Sequence, residues 1–159
     1  MHISSLSIRN FRNFKNAKLN FKNGINTIIG ENGAGKTNLF YALRVLLDDT
    51  LPRYINFYPS DFNRSLGNWA GHWIIISIAF EELDASEEAQ ALAVQSSGHM
   101  DTGTQGSYSV YFRPKYQFRK ELYDYSQTAG KNIADLQLIL DKLTLEDYET
   151  VYLSRGSAD

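Results

Sequence analysis

No cysteine occurs in the 159 residues, so disulfide frameworks, thiolate zinc sites, iron–sulfur clusters and thiol nucleophiles are excluded from the outset. That absence suits a reducing, cytoplasmic compartment. Histidine is nearly as scarce: His2, His72 and His99 stand far apart, and no spacing sets two of them on one helical face as metal ligands. Long hydrophobic runs are missing too. The longest, Trp73 to Phe80 with Ser77 inside it, is less than half of the roughly 20 residues that span a bilayer. Residues 1–10 lack the basic segment and apolar stretch of a signal peptide, so a soluble protein with no membrane partner is expected. Neither sign of charge dominates: 16 basic against 18 acidic residues leave a net charge of −2, and any contact with a polyanion must come from a local patch.

What is present is the composition of a packed globular unit, with 43% hydrophobic and 21% charged residues. The length fits one domain, so residues 1–159 are read as a single unit. Ile3, Leu6, Ile8 and Phe11, then Ala17, Leu19 and Phe21, alternate with polar residues and predict two half-exposed strands. Asn23-Gly24 marks a turn, and Ile25 to Ile29 reads as a short strand entering a glycine-rich segment. From Lys36, the spacing of Leu39, Leu43 and Leu46 predicts a helix ending near Asp48. Residues 50–72, aperiodic and holding Pro52 and Pro59, read as a long surface connection. Trp73 to Phe80 is expected to be a buried strand, Asp84 to Gln95 a helix, 96–106 a polar loop and Ser107 to Phe112 a strand. Asn132 to Leu143 is expected to be a helix, with Thr144 and Asp147 opening another.

Strand, glycine loop and helix meet at Gly30-Glu31-Asn32-Gly33-Ala34-Gly35-Lys36-Thr37, the spacing of a phosphate-binding loop. Glycines let the backbone curl into a nest whose N–H groups face phosphate oxygens, and the helix N-terminus adds positive potential. Lys36 would reach the β- and γ-phosphates, and the Thr37 hydroxyl is sized to ligate Mg²⁺. Gly30, Asn32, Gly33, Ala34, Gly35, Lys36, Thr37 and Asn38 are therefore the candidate ATP site. The plainer alternative is a tight strand-to-helix turn with an exposed lysine. The spacing does not match the G-x-G-x-x-G fingerprint of dinucleotide binders.

Ile8-Arg9-Asn10-Phe11-Arg12-Asn13-Phe14, the strand and turn of residues 15–29, and Gly30 to Asn38 followed by Leu39 and Ala42-Leu43 resemble the opening of the RecF, SMC and OLD (overcoming lysogenization defect) ATPases. Tyr41-Ala42-Leu43-Arg44 and Pro59-Ser60-Asp61-Phe62 look most like the OLD-type endonucleases. The resemblance implies an α/β P-loop NTPase fold, an ABC-type N-terminal lobe with a mixed sheet, an antiparallel side sheet and flanking helices. It implies Arg12 and Asn13 as further contacts to the adenine side or phosphates of ATP, beside a reading in which Phe11 and Phe14 are core and Arg12 is surface. In full-length relatives, ATP-driven dimerisation of the ATPase heads is coupled to DNA repair or cleavage, including phage defence, so DNA and a homodimer partner or a completing polypeptide are implied for the whole protein.

The parts that complete such an ATPase are hard to find. Ile74 to Phe80 with Glu81-Glu82 imitates a strand with terminal catalytic acids, but it carries no aspartate at the magnesium position, and a buried strand running out to solvent is the favoured reading. Gln117 and Asp61 are candidates for the Mg²⁺ shell, and Leu153-Ser154-Arg155-Gly156-Ser157 imitates a signature segment. No carboxylate cluster suits two-metal DNA cleavage. Arg113, Lys115, Arg119 and Lys120, interleaved with Tyr111, Phe112, Tyr116 and Phe118, form either a nucleic-acid patch or a strand with one apolar and one solvated face. Two further readings stay open: a self-contained P-loop NTPase or phosphotransferase using Glu81 or Glu82, and a non-catalytic nucleotide-binding module whose helices after Asn132 dock a partner.

Overall fold

Period-two patterning builds the first half of the sheet. The structure, a computed structural model, describes residues 1–48, 50–51, 55–83, 86, 105–128, 130 and 132–155. Strands β1 (His2–Phe11) and β2 (Phe14–Asn20) form a hairpin closed by Arg12 and Asn13, with Phe11 opposite Phe14. β3 (Ile74–Glu81) pairs with the other edge of β1, β4 (Gly106–Pro114) with β3, and β5 (Tyr148–Arg155) with β4. The five strands run in the order β2-β1-β3-β4-β5. Register sets Ile8 opposite Ile76 and Ile76 opposite Val110, so Leu6, Ile8, Ile74, Ile76, Ile78 and Val110 share one face, each at most 1% exposed. Removing each such side chain from water contributes about 1.5–3 kcal/mol.

Helix α1 (Lys36–Leu47) lies against β3 and β4 and buries Leu39, Ala42, Val45 and Leu46 on that face. Helices α2 (Tyr116–Gln127) and α3 (Ile133–Leu140) follow β4, and neither has a fully buried residue. Asn132 opens α3 as expected, its side chain accepting from the Ala134 amide at 3.0 Å. The result is an α/β P-loop NTPase fold with an antiparallel sheet flanked by helices. Of the expected mixed sheet, every pairing among the described residues is antiparallel.

Three expectations are corrected. Residues 25–29 are not a strand: among the described residues none pairs with them, and Ile25 and Ile29 are 98% and 90% exposed. The Asn23-Gly24 turn before them is real, with Gly24 at φ 96° and the Asn26 side chain bonded to both the amide and the carbonyl of Lys22.

The described part of residues 50–72 is no surface loop. Ile55, Phe57, Asp61, Phe62, Asn63 and Ala70 are buried, and the rings of Phe57, Phe62 and Trp69 join Phe112 and Tyr148 in one aromatic cluster. Two 3-10 turns, Pro59–Asp61 and Arg64–Leu66, flank the buried Phe62 and Asn63, and their tighter winding leaves no 3.6-residue pattern to read.

Thr144 and Asp147 start only one 3-10 turn, Leu145–Asp147. The Asp147 carboxylate accepts from the Thr144 amide and hydroxyl, which holds its pKa below the usual carboxylate range. Tyr148, Thr150, Val151 and Tyr152, all strand formers, then open β5. The helix expected over Asp84 to Gln95 and most of the loop after it lie outside the described residues, while Gly106 opens β4.

Candidate functional site

The glycine loop ends on Gly35, the N-cap of α1, in the left-handed region at φ 95°, with Gly33 at φ 87° two residues earlier. Positive φ at both favours glycine. At Gly35 space also forbids anything larger, because a Cβ there would lie 2.0 Å from the Asn13 amide nitrogen. No side chain caps α1 and no acid occupies its first turn. The first amides of the helix and its positive dipole end are therefore left for an anion. Lys36 folds back over the loop, its ammonium donating to the carbonyls of Gly30 and of Glu31, the latter at 2.7 Å. A phosphate oxygen would take the place of those acceptors. Asn32, Ala34 and Thr37 are exposed, and the Thr37 hydroxyl lies on the first turn of α1.

A second group of residues is bolted to this loop. Arg12, at φ 49° in the hairpin turn, donates from its Nε to Asp61 Oδ1 at 2.9 Å and from Nη1 to Asn38 Oδ1 at 3.0 Å. Asn38 Nδ2 donates to Asn13 Oδ1 at 2.7 Å, and Asn13 is the residue packed on Gly35. The guanidinium carbon lies 4.3 Å from the Tyr41 ring centre and 5.2 Å from that of Phe11, an arrangement that favours the cation. Backbone bonds fasten the turn to the connection: the Arg12 amide donates to the Asp61 carbonyl at 2.7 Å and Asn63 Nδ2 to the Arg12 carbonyl at 2.7 Å. Arg12, Asn13, Asn38, Ser60, Asn63 and Arg64 line a cleft of about 530 Å³ beside the loop.

Of the remaining candidates, Asp61 also lines that cleft and the others stand away from it. Asp61 is buried, with one carboxylate oxygen on Arg12 and the other on the Tyr58 amide, so both are engaged in holding the turn. Gln117 is exposed in the first turn of α2, which begins beyond the same end of the sheet as Arg12 but two strands away. Glu81 and Glu82 sit at the opposite end. Glu81 pairs with His2 at the start of β1, and Glu82 accepts from Asn23 Nδ2 at 2.9 Å and lies 3.3 Å from His2 Nδ1. With ~3.3 Å per strand residue, the length of β1 puts them about 30 Å from Arg12. Ser154 and Arg155 lie in β5, whose Arg155 pairs with Ser107 toward that same far end, and residues 156–157 fall outside the described residues. Among the described residues no group of three His, Cys, Asp or Glu side chains is placed to hold a metal ion.

In the basic–aromatic stretch, structural duties take both arginines. Glu149 accepts from Arg113 Nε at 3.0 Å and from Arg119 Nη1 at 2.6 Å. Burial pushes the Glu149 pKa up, but the hydrogen bonds and charges of Arg119 and Arg113 outweigh it and hold it below the usual range. Phe112 is core, Phe118 packs against the core, and Lys115 and Lys120 remain exposed. Two contributors were not foreseen from the sequence as site residues. Tyr41 supplies the ring under Arg12, and its position four residues after Thr37, on the same helical face, was the available signal. Asn63 had none, since its partner lies 51 residues away.

Comparison with known proteins finds relatives of this chain. The model of the AAA ATPase domain family matches residues 1–154. Endonuclease GajA of Bacillus cereus (strain VD045) is 32% identical over 123 residues, covering 77% of this chain and 21% of that protein. The DNA replication and repair protein RecF of Francisella tularensis subsp. novicida (strain U112) is 36% identical over 80 residues, covering 50% of this chain and 22% of that protein. The chain thus spans about a fifth of the length of these curated relatives. A chain from a structural study of SMC ATPases superposes with a TM-score of 0.46 at 17% identity, over 71% of this chain and 64% of that one.

Proposed function

The chain belongs to the AAA ATPase domain family, as a P-loop ATPase domain related to OLD-type endonucleases and RecF, and from that premise we propose that it is a Mg-ATP-binding lobe whose full-length protein couples nucleotide binding to work on DNA. The observation that carries the reading is the loop: left-handed Gly33 and Gly35, an uncapped helix N-terminus and the Lys36 ammonium converge on one concavity. Lys36 and the amides of the first helical turn would hold the triphosphate tail, and Thr37 the cation. Mg²⁺, when bound, would neutralise charge on the phosphates and orient them.

Arg12 and Asn13 would add contacts beside the loop. Residues 1–159 act in this reading as one N-terminal lobe, and head-to-head dimers, DNA repair or cleavage and phage defence belong to the full-length protein. The relatives named above, an endonuclease and a DNA replication and repair protein, support that assignment. Little turnover is expected of these residues alone, because Glu81 and Glu82 lie at the far end of the sheet from the loop. That distance also speaks against a self-contained phosphotransferase. The test is calorimetric titration of ATP into the wild-type chain and Lys36→Ala. Binding should be lost in the variant, and undiminished affinity would refute the assignment.

The exposed Ile133 and Leu138 of α3 favour a second reading, a non-catalytic module that binds nucleotide and docks a partner. A thermal shift with ATP, accompanied by neither hydrolysis nor DNA binding in the full-length protein, would select it.

A further inference from the structure

Asp61 and Asn38 hold the Arg12 guanidinium from two sides, and the tethers do more than their own energetics require. Asp61 is only 12% exposed in its side chain and Arg12 31%, so the pair is taken largely out of water at a cost that its attraction does little more than offset. Arg12 also keeps a left-handed backbone, φ 49°, that a non-glycine residue sustains only when its surroundings impose it. Both expenses fix the direction of one cation next to the glycine loop. Of the five guanidinium N–H groups, Asp61 takes one and Asn38 a second, leaving three for a ligand. Asn38 is the residue after Thr37, so its tether ties the guanidinium to the first turn of α1, where the phosphates would sit.

We propose that Asp61 is a positioning residue for Arg12 and not a Mg²⁺ ligand, and that with Asn38 it aims the remaining N–H groups of the guanidinium at the polyphosphate of the bound nucleotide. One Asp61 oxygen accepts from Arg12 and the other from the Tyr58 amide, contacts that orient the carboxylate toward the guanidinium and the turn. The N–H groups left over, one on Nη1 and both on Nη2, are the donors that such a held, planar guanidinium offers to phosphate oxygens. This inference rests on the nucleotide reading above.

The experiment measures binding of ATP and of inorganic tripolyphosphate to Asp61→Asn, Arg12→Ala and the double variant, each with Mg²⁺ and with EDTA. A misaimed charged hydrogen-bond donor weakens binding by about tenfold, so Asp61→Asn should lose that factor for both ligands, with or without Mg²⁺. In the Arg12→Ala background the same substitution should change nothing further. A purely structural carboxylate would give additive losses, a metal ligand would give a loss confined to the Mg²⁺ arm, and an adenine contact would spare tripolyphosphate; each overturns the proposal. Should Asp61→Asn fail to fold, Asn38→Ala cuts the other tether and must show the same Mg²⁺-independent, non-additive loss. If wild type binds ATP, Lys36→Ala does not, and Asp61→Asn binds normally, only the positioning role fails. A wild-type chain that binds no ATP removes the nucleotide reading and this inference with it.

Discussion

At Gly35 two constraints coincide that at Gly33 are separated. Both residues have positive φ, but a Cβ at Gly33 meets nothing within 4 Å, whereas at Gly35 it strikes the Asn13 amide at 2.0 Å. Gly33→Ala should therefore cost only the left-handed penalty of about 1–2 kcal/mol. Gly35→Ala adds the displacement of Asn13 and with it the bond to Asn38, so its loss in urea denaturation should exceed that of Gly33→Ala by about 1 kcal/mol. Calorimetry should also find ATP binding more impaired by Gly35→Ala. Equal losses would mean that Asn13 moves aside freely. The glycines, Lys36 and Thr37 were legible because a phosphate loop is a local object, set by residues within one turn of each other. The role of Asp61 was not, because its partner Arg12 lies 49 residues earlier and only the folded chain brings them together.

Between elements, the clearest charge device is Glu149 on β5, which joins Arg113 on β4 to Arg119 on α2. These guanidinium groups also lie over Trp73, at 5.4 and 6.0 Å from its ring centre. Because the folded pKa of Glu149 is lowered from 4.5, its contribution is fully present above that value and is lost as the pH falls through the depressed folded pKa. The carboxylate is one-third exposed, so solvent screening limits the contribution to about 1 kcal/mol. Glu149→Gln should be less stable than wild type by about that amount at pH 7, and the gap should narrow as the pH is taken from 5 toward 3 in thermal melts. A gap that stays constant would show that packing, not charge, holds the clamp. Strands β1, β2 and β4, with period-two patterning, and β3, a short apolar run, were legible at this scale. β5 was not, since the capping box at Thr144 and Asp147 is genuine but closes over a single turn, and local signals announce where a helix starts better than whether it continues. The segment at 25–29 failed for the opposite reason: its pattern suits a strand, but a strand also needs a neighbour.

Across the whole molecule, the sheet separates two groups of acids and amides by the length of β1. Arg12, Asn13, Asn38 and the glycine loop gather at one end, His2, Asn23 and Glu82 at the other. A ligand that binds only the folded chain stabilises it by about 2.7 kcal/mol when present at 100 times its dissociation constant. For a domain of this size each kcal/mol is worth roughly 2–4 °C, so saturating ATP should raise Tm by about 5–10 °C. The shift should vanish in Lys36→Ala, which removes the ammonium that spans the loop, and persist undiminished in Glu82→Gln, which alters contacts to Asn23 and His2 at the far end of the sheet. Phosphate release by the chain should be equally indifferent to Glu82→Gln. A fall in either quantity would mean that the two ends of the sheet communicate, and the acids after β3 would then return as candidates for the chemistry.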